Sequence, residues 1–165
     1  MLLRLSVAAL LLCCLWLPGV LADTVAPAQG TVQTAKSFTP EDRLSISPHE
    51  AYRLQQSGVP ILDVRSRAEF ELVGHPVGAT NIPYKLYPAW QVDPNFIGNV
   101  KDWAGDRTVM VICRSGKRGM AATKMLRSEG VNAINILEGF EGPKGANGHR
   151  DTEQGWRNRN LPWEY

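Results

Sequence analysis

Six consecutive residues, Thr108-Val109-Met110-Val111-Ile112-Cys113, constrain the fold of this chain more than any other stretch. After Thr108 they are apolar at every position, so neither alternating face is marked for solvent. A strand of that kind is covered above and below, as interior strands of parallel sheets are. The neighbouring segments agree with it. Ser47-Pro48-His49-Glu50 sets Ser at an N-cap, Pro at the first helical position and Glu at the third, which is a capping box for a helix that stops at Gly58. Residues 61–65 read as a short buried strand, and residues 66–72 as one or two helical turns. Residues 79–83 read as a strand entry limited by Pro83, and Asp93-Pro94 caps a helix reaching about Trp103. Lys117 or Arg118 begins a helix that runs to Glu129, with Ala121, Ala122, Met125 and Leu126 on one side and Gly130 as its stop. Residues 133–137 form the next strand. This alternation predicts an α/β domain with a mainly parallel central sheet and helices on both faces.

The amino-terminal residues show another pattern. Arg4 precedes an apolar run over residues 5–17, Pro18-Gly19 interrupts it, and Val20-Leu21-Ala22 precede Asp23. These are the parts of a secretory signal peptide, residues 1–22, cleaved after Ala22. A membrane span needs ~20 apolar residues, so the competing reading of an uncleaved anchor has too short a run. Cys13 and Cys14 come after bulky leucines close to the charged start, a poor setting for lipoprotein attachment. The expectation is an exported protein, periplasmic if the source is a Gram-negative bacterium and otherwise secreted, with no stable membrane insertion after cleavage. Residues 23–44, rich in Ala, Thr, Gln and Pro, read as a flexible extension ahead of one domain at 45–165. A net charge of +2 over 165 residues leaves no electrostatic footprint for a nucleic-acid partner. Residues 139–155, glycine-rich and charged, read as a loop, with Trp156, Leu161, Pro162 and Trp163 anchoring the C-terminus to the body.

Cleavage after Ala22 leaves Cys113 as the single cysteine, in a compartment where disulfides normally form. With no internal partner, an odd exported thiol marks reactivity. A lone Cys after apolar residues is ordinarily a small buried hydrophobe. The next six residues reverse that expectation: Arg114-Ser115-Gly116-Lys117-Arg118-Gly119, with three cations and two glycines, is no core sequence. The two glycines allow a tight curl in which successive N–H groups face one centre, and the helix after them adds its positive end. Three charged side chains reinforce both. Such surroundings favour thiolate over thiol and hold a small anion beside it. Ligands of open α/β sheets bind at these carboxyl strand ends. His49, His75 and His149 show no metal-ligand spacing with each other or with Cys113, so neither a metal nor a cofactor is expected. Trp90, Trp103, Trp156 and Trp163 read as core and lid rather than as a ligand cage.

Over residues 45–163 the chain resembles the rhodanese family of sulfurtransferases. The segment from Cys113 to Gly119 looks like the family's active-site loop. Asp63-Val64-Arg65, Glu69-Phe70, Gly74-His75 and the Gly78-Ala79-x-Asn81-Ile82-Pro83 run look like its upstream signature. Leu137-Glu138-Gly139-Phe140, Trp156 and Leu161-Pro162 are similar to its C-terminal strand, turn and tryptophan. The resemblance implies a Cys113 persulfide, loaded from thiosulfate or another small anionic sulfane donor and unloaded to cyanide, a thiol or a protein acceptor. It also implies that Arg114, Ser115, Gly116, Lys117, Arg118 and Gly119 bind substrate, and that Asp63 and Arg65 support the loop, by ion-pair bracing rather than by touching substrate. Phosphatases and arsenate reductases of related fold carry Cys-x5-Arg, whereas this chain has Cys-x4-Arg with Gly119 in the later position. A second reading is a rhodanese-fold sulfur carrier or binding module with little turnover. Three departures bear on substrate: Glu138-Gly139-Phe140 replaces paired glycines, residues 141–155 look like an enlarged rim loop, and Gly119 replaces the Ser often found at the loop's end, removing a hydroxyl contact.

Overall fold

A computed structural model describes residues 43–165, and the predicted leader and nearly all of the predicted extension lie outside the described residues. The main sheet has five parallel strands in the order β1 (Ser45–Ile46), β8 (Ala133–Ile136), β7 (Val109–Ile112), β2 (Ile61–Asp63) and β4 (Thr80–Asn81). The apolar strand β7 is therefore central, as its double-sided pattern requires. Its residues alternate between two cores. Val109, Val111 and Cys113 face one core with Val100 and Ala104 of α3 (Phe96–Ala104) and Ala122 and Leu126 of α4 (Lys117–Ser128). Met110 and Ile112 face the other, which contains Ala51 of α1 (Pro48–Gln56), Phe140, Trp156 and Leu161. Helices thus cover both faces, and the predicted class holds.

The short helix α2 (Arg67–Val73) lies between β2 and a two-stranded antiparallel pair, β3 (His75–Pro76) with β9 (Trp163–Glu164). A second antiparallel pair joins β5 (Lys85–Leu86) to β6 (Gln91–Val92), and nothing in the sequence pattern announced it. Other boundaries moved for local reasons. Strand β2 stops at Asp63 because the Asp63 carboxylate accepts from the Arg65 N–H at 2.9 Å and turns the chain. Helix α3 starts at Phe96, after Asp93 accepts from Asn95 N–H. On α4 the buried residues are Gly119, Ala122, Thr123 and Leu126, while Ala121, expected inside, is exposed.

The first strand starts at Ser45, and the two residues before it also touch the domain. Asn135 N–H donates to the Leu44 carbonyl at 3.0 Å, and Arg43 pairs with Glu50 at 3.1 Å, so residues 43–44 are bound to the domain. The C-terminal anchor is as expected: Trp156 is fully buried, meets Tyr52 edge-on, and donates its indole N–H to the Pro162 carbonyl at 2.8 Å. Removing that ring empties the core under one sheet face. Trp156→Ala should lower the unfolding free energy by about 3–5 kcal/mol, measured by urea denaturation.

Candidate functional site

Cys113 directly succeeds the last residue of β7 and is 1% exposed, its side chain packed with the core that α3 and α4 cover. The chain then curls through Gly116, whose φ of 86° is left-handed and which serves as N-cap of α4 without any side-chain cap. Helices α1 and α2 are capped differently. Ser47 with Glu50 and Ser66 with Glu69 form reciprocal capping boxes on them. Because α4 lacks such a cap, the backbone N–H groups from Arg114 to Gly119 find no acceptor among the described residues. Six such donors in the loop after one thiol, with the positive end of a twelve-residue helix behind them, are the ingredients of an anion nest.

The nest is supported from below by the turn after β8. Phe140 N–H donates to the Cys113 carbonyl at 2.7 Å, and Glu141 N–H to the Arg114 carbonyl at 3.0 Å. Gly139 fits there because it has no side chain. A Cβ on it would stand 2.4 Å from the Cys113 carbonyl oxygen and 2.5 Å from Ser115 N, and its φ of 68° is left-handed as well. A family model for the rhodanese-like domain matches residues 47–145, a span that contains the whole of this loop and its support. The chain belongs to the rhodanese-like domain family. It is 32% identical to an uncharacterized protein of Rickettsia rickettsii over 109 residues, covering 64% of this chain and 82% of that one. A rhodanese-like domain-containing protein of Arabidopsis thaliana is 31% identical over 112 residues, covering 65% of this chain and 71% of the relative. The crystal structure of an M. tuberculosis protein superposes with a TM-score of 0.64 at 30% identity, covering 73% of this chain and 96% of that one.

Within this rhodanese-like domain the loop residues divide by role. Arg114 and Lys117 are exposed and make no ion pair among the described residues. Ser115 and Gly116 are half-buried in the curl. Arg118 faces elsewhere than expected of a substrate ligand: its two terminal nitrogens donate to the two Glu69 carboxylate oxygens at 2.8 and 2.6 Å. Burial works against the Arg118 charge, but Glu69, with smaller help from Cys113 and Asp63, raises its pKa. Gly119 is turned toward the sheet, where a Cβ would lie 2.4 Å from the Asn135 side-chain oxygen, so its missing side chain serves helix-to-sheet packing and only its N–H remains for a ligand.

Asp63 and Arg65 form a buried brace beside the loop. Both are fully buried; Arg65 Nε and Nη2 donate to the Asp63 carboxylate at 2.6–3.0 Å, Nη2 also donates to the Gly74 carbonyl, and the guanidinium lies 4.5 Å from the Phe140 ring centre. His75 is stacked on Phe70 with its Nδ1 3.2 Å from the Phe70 carbonyl, which places it in the frame and not in the nest. Of the tryptophans read as core and lid, Trp156 is in the core and Trp90 is outside it, 44% exposed.

Three contributors were given no role at the loop by the sequence reading. Glu69 was visible through its Ser66-x-x-Glu69 spacing, but nothing local showed that it would hold Arg118. Glu138 has a φ of 67° where paired glycines are usual, and its carboxylate accepts from Gly155 N–H and from Arg159. Glu141 is half-buried at the loop's edge, with no hydrogen bond or ion pair to its carboxylate among the described residues. Burial pushes its carboxyl up, against the pull of nearby Arg114 and Arg65.

Glu69 gives a pH signature. Burial raises its pKa, but the Arg118 and Ser66 hydrogen bonds outweigh burial and lower it from 4.5 to about 2. A carboxylate depressed on folding stabilises the protein above the unfolded value and loses that contribution as pH falls toward the folded one. Glu69→Gln should therefore be less stable than wild type at pH 7, with the difference shrinking between pH 4.5 and about 2, read from thermal melts across that range.

Proposed function

We propose that this rhodanese-like protein is a sulfur carrier: Cys113 accepts a sulfane sulfur as a persulfide and passes it to an acceptor thiol, with slow turnover on small molecules. The observation that supports this most is the set of six unpartnered N–H groups around Cys113, a cradle suited to a persulfide anion. Loading from thiosulfate balances simply. The Cys113 thiolate attacks the outer sulfur, the S–S bond of thiosulfate breaks, and sulfite departs with the bonding pair. Unloading reverses the roles, the acceptor thiolate taking the outer sulfur and Cys113 leaving as thiolate.

Two features favour a carrier over rapid turnover of thiosulfate. Cys113 is 1% exposed, which slows access to it for small donors and acceptors turning over in solution unless something brings them to the loop. The cationic surround is also weaker than the sequence implies, because Glu69 occupies Arg118 and the Glu141 carboxylate lies within electrostatic reach of Arg114. The full small-molecule sulfurtransferase is the second reading, supported by exposed Arg114 and Lys117, which present two cations to an anionic donor. Residues 1–22 support export of either form.

Intact mass decides the first half-reaction. Wild type incubated with thiosulfate should gain one sulfur atom that cyanide or thiol removes, and Cys113→Ser should gain none; a sulfur retained by the variant would overturn the assignment. Glu141 supplies a graded test of the donor argument. Removing its charge in Glu141→Gln should speed loading by dianionic thiosulfate several-fold in stopped-flow assays, with the gain falling as salt rises.

A further inference from the structure

The β5–β6 hairpin closes with Trp90 N–H donating to the Leu86 carbonyl at 2.8 Å, and Trp90 carries a φ of 54°. A left-handed residue at the end of a hairpin loop is ordinarily glycine, since an L side chain there crowds its own backbone. Tryptophan occupies the position instead, and burial does not compensate, because the residue is 44% exposed. Leu86 (44%), Tyr87 (77%) and Val92 (36%) are exposed beside it. What the strained backbone accomplishes is placement of the ring. The Trp90 ring centre lies 5.5 Å from the Arg118 guanidinium, and Tyr87 meets Trp90 edge-on at 6.5 Å. An exposed aromatic ledge is thereby joined, through Arg118, to the first turn of α4 and the loop that starts at Cys113. Exposed Arg114 and Lys117 lie on that same loop.

We propose that the hairpin at 85–92 is the docking surface for a protein sulfur acceptor whose thiol-bearing segment lays an apolar side chain on Tyr87 and Trp90 and offers carboxylates to Arg114 and Lys117. This rests on the reading of Cys113 as a sulfur carrier and names the class of its partner. Charge complementarity selects an acidic segment, because the cations of the loop that lack ion-pair partners are the exposed ones. The spread of the apolar side chains over both strands and their turn selects a macromolecule, because a small thiol covers at most one of them. Exposed aromatic side chains bordered by charge have the composition of protein recognition surfaces. In the transfer itself the acceptor thiol loses its proton to solvent and its sulfur attacks the outer persulfide sulfur. The Cys113 S–S bond breaks, Cys113 leaves as thiolate, and the acceptor becomes the persulfide.

The test uses the full chain loaded with sulfur and three synthetic peptides. The first has a cysteine flanked by Leu, Phe and two Asp; the second replaces both Asp by Lys; the third replaces Leu and Phe by Ser. The first should unload Cys113 at least tenfold faster than either control. Trp90→Gly and Tyr87→Ser should remove most of that advantage and leave unloading by 2-mercaptoethanol unchanged. Both variants should keep the wild-type far-UV circular dichroism, so that lost peptide unloading is not lost folding. Equal rates for the three peptides, equal slowing of peptide and 2-mercaptoethanol in the variants, or self-association of the chain through the hairpin would each overturn the proposal. Binding of a cysteine-to-serine version of the first peptide to the Cys113→Ser protein, by fluorescence anisotropy, separates the two claims. Binding there without sulfur loading in wild type keeps the docking surface and removes the carrier reading. Loading without binding removes the docking surface alone.

Discussion

Asp63 and Arg65 are both wholly inside the protein, and the end of the domain that carries the loop is built around their ion pair. Burying two charges is unfavourable unless the geometry satisfies them, and removal of one partner from such a pair typically costs about 3–5 kcal/mol. Here Arg65 is held through Nε and Nη2 on the Asp63 carboxylate, through Nη2 on the Gly74 carbonyl, and by the Phe140 face. Those contacts connect the end of β2, the end of α2 and the turn after β8. Asp63 pairs in register with Ile112, the residue before Cys113, so the same pair fixes the floor beside the thiol.

On that floor the helices are finished in two ways. Serine and glutamate close the first turns of α1 and α2, which satisfies the amide groups a helix otherwise leaves open. Helix α4 is closed by a left-handed glycine with no side chain to accept from them, and its first-turn amides stay available. Helix α3 also starts without a side-chain cap, so what sets α4 apart is that its open amides follow directly on Cys113. Glu69 belongs to both arrangements: one oxygen caps α2 while the carboxylate as a whole grips Arg118 and so ties α2 to the uncapped turn.

The rim loop shows how close backbone approaches replace regular structure. Its base is pinched at Gly142 and Gly155, where a Cβ would come within 2.3–2.4 Å of the opposite chain. Asp151 N–H bonds back to the Glu141 carbonyl, and Arg157 pairs with Asp151 while donating to the Val73 carbonyl. A segment legible in the sequence simply as glycine-rich and charged is thus a tied Ω-like loop. Its first residue, Glu141, stands at the edge of the nest. The β5–β6 hairpin on the Arg118 side was illegible for a related reason. Two residues per strand carry too little alternation to be seen, and its closing position holds tryptophan where a glycine would have been the signal.

Local order along the chain was enough to establish the α/β class, the central place of β7 and the cysteine at its carboxyl end. Burial on two faces needs apolar residues at both parities, and a nest needs glycines, so both leave marks in consecutive residues. The partners of the loop's charges are not written locally. Arg118 is 49 residues from Glu69 and, as sequence, looks as free as Arg114 and Lys117. Chain folding brings one of the three against a carboxylate and leaves two outside, because ion pairing depends on distance in space and the sheet order sets that distance. The same is true of Gly119, which reads as a loop residue until Asn135 is seen beneath it. The sequence by itself determined the class of fold and the place of Cys113 at the head of a glycine-bearing cationic loop; the tertiary structure decided which of that loop's charges is paired, because pairing depends on distance in space.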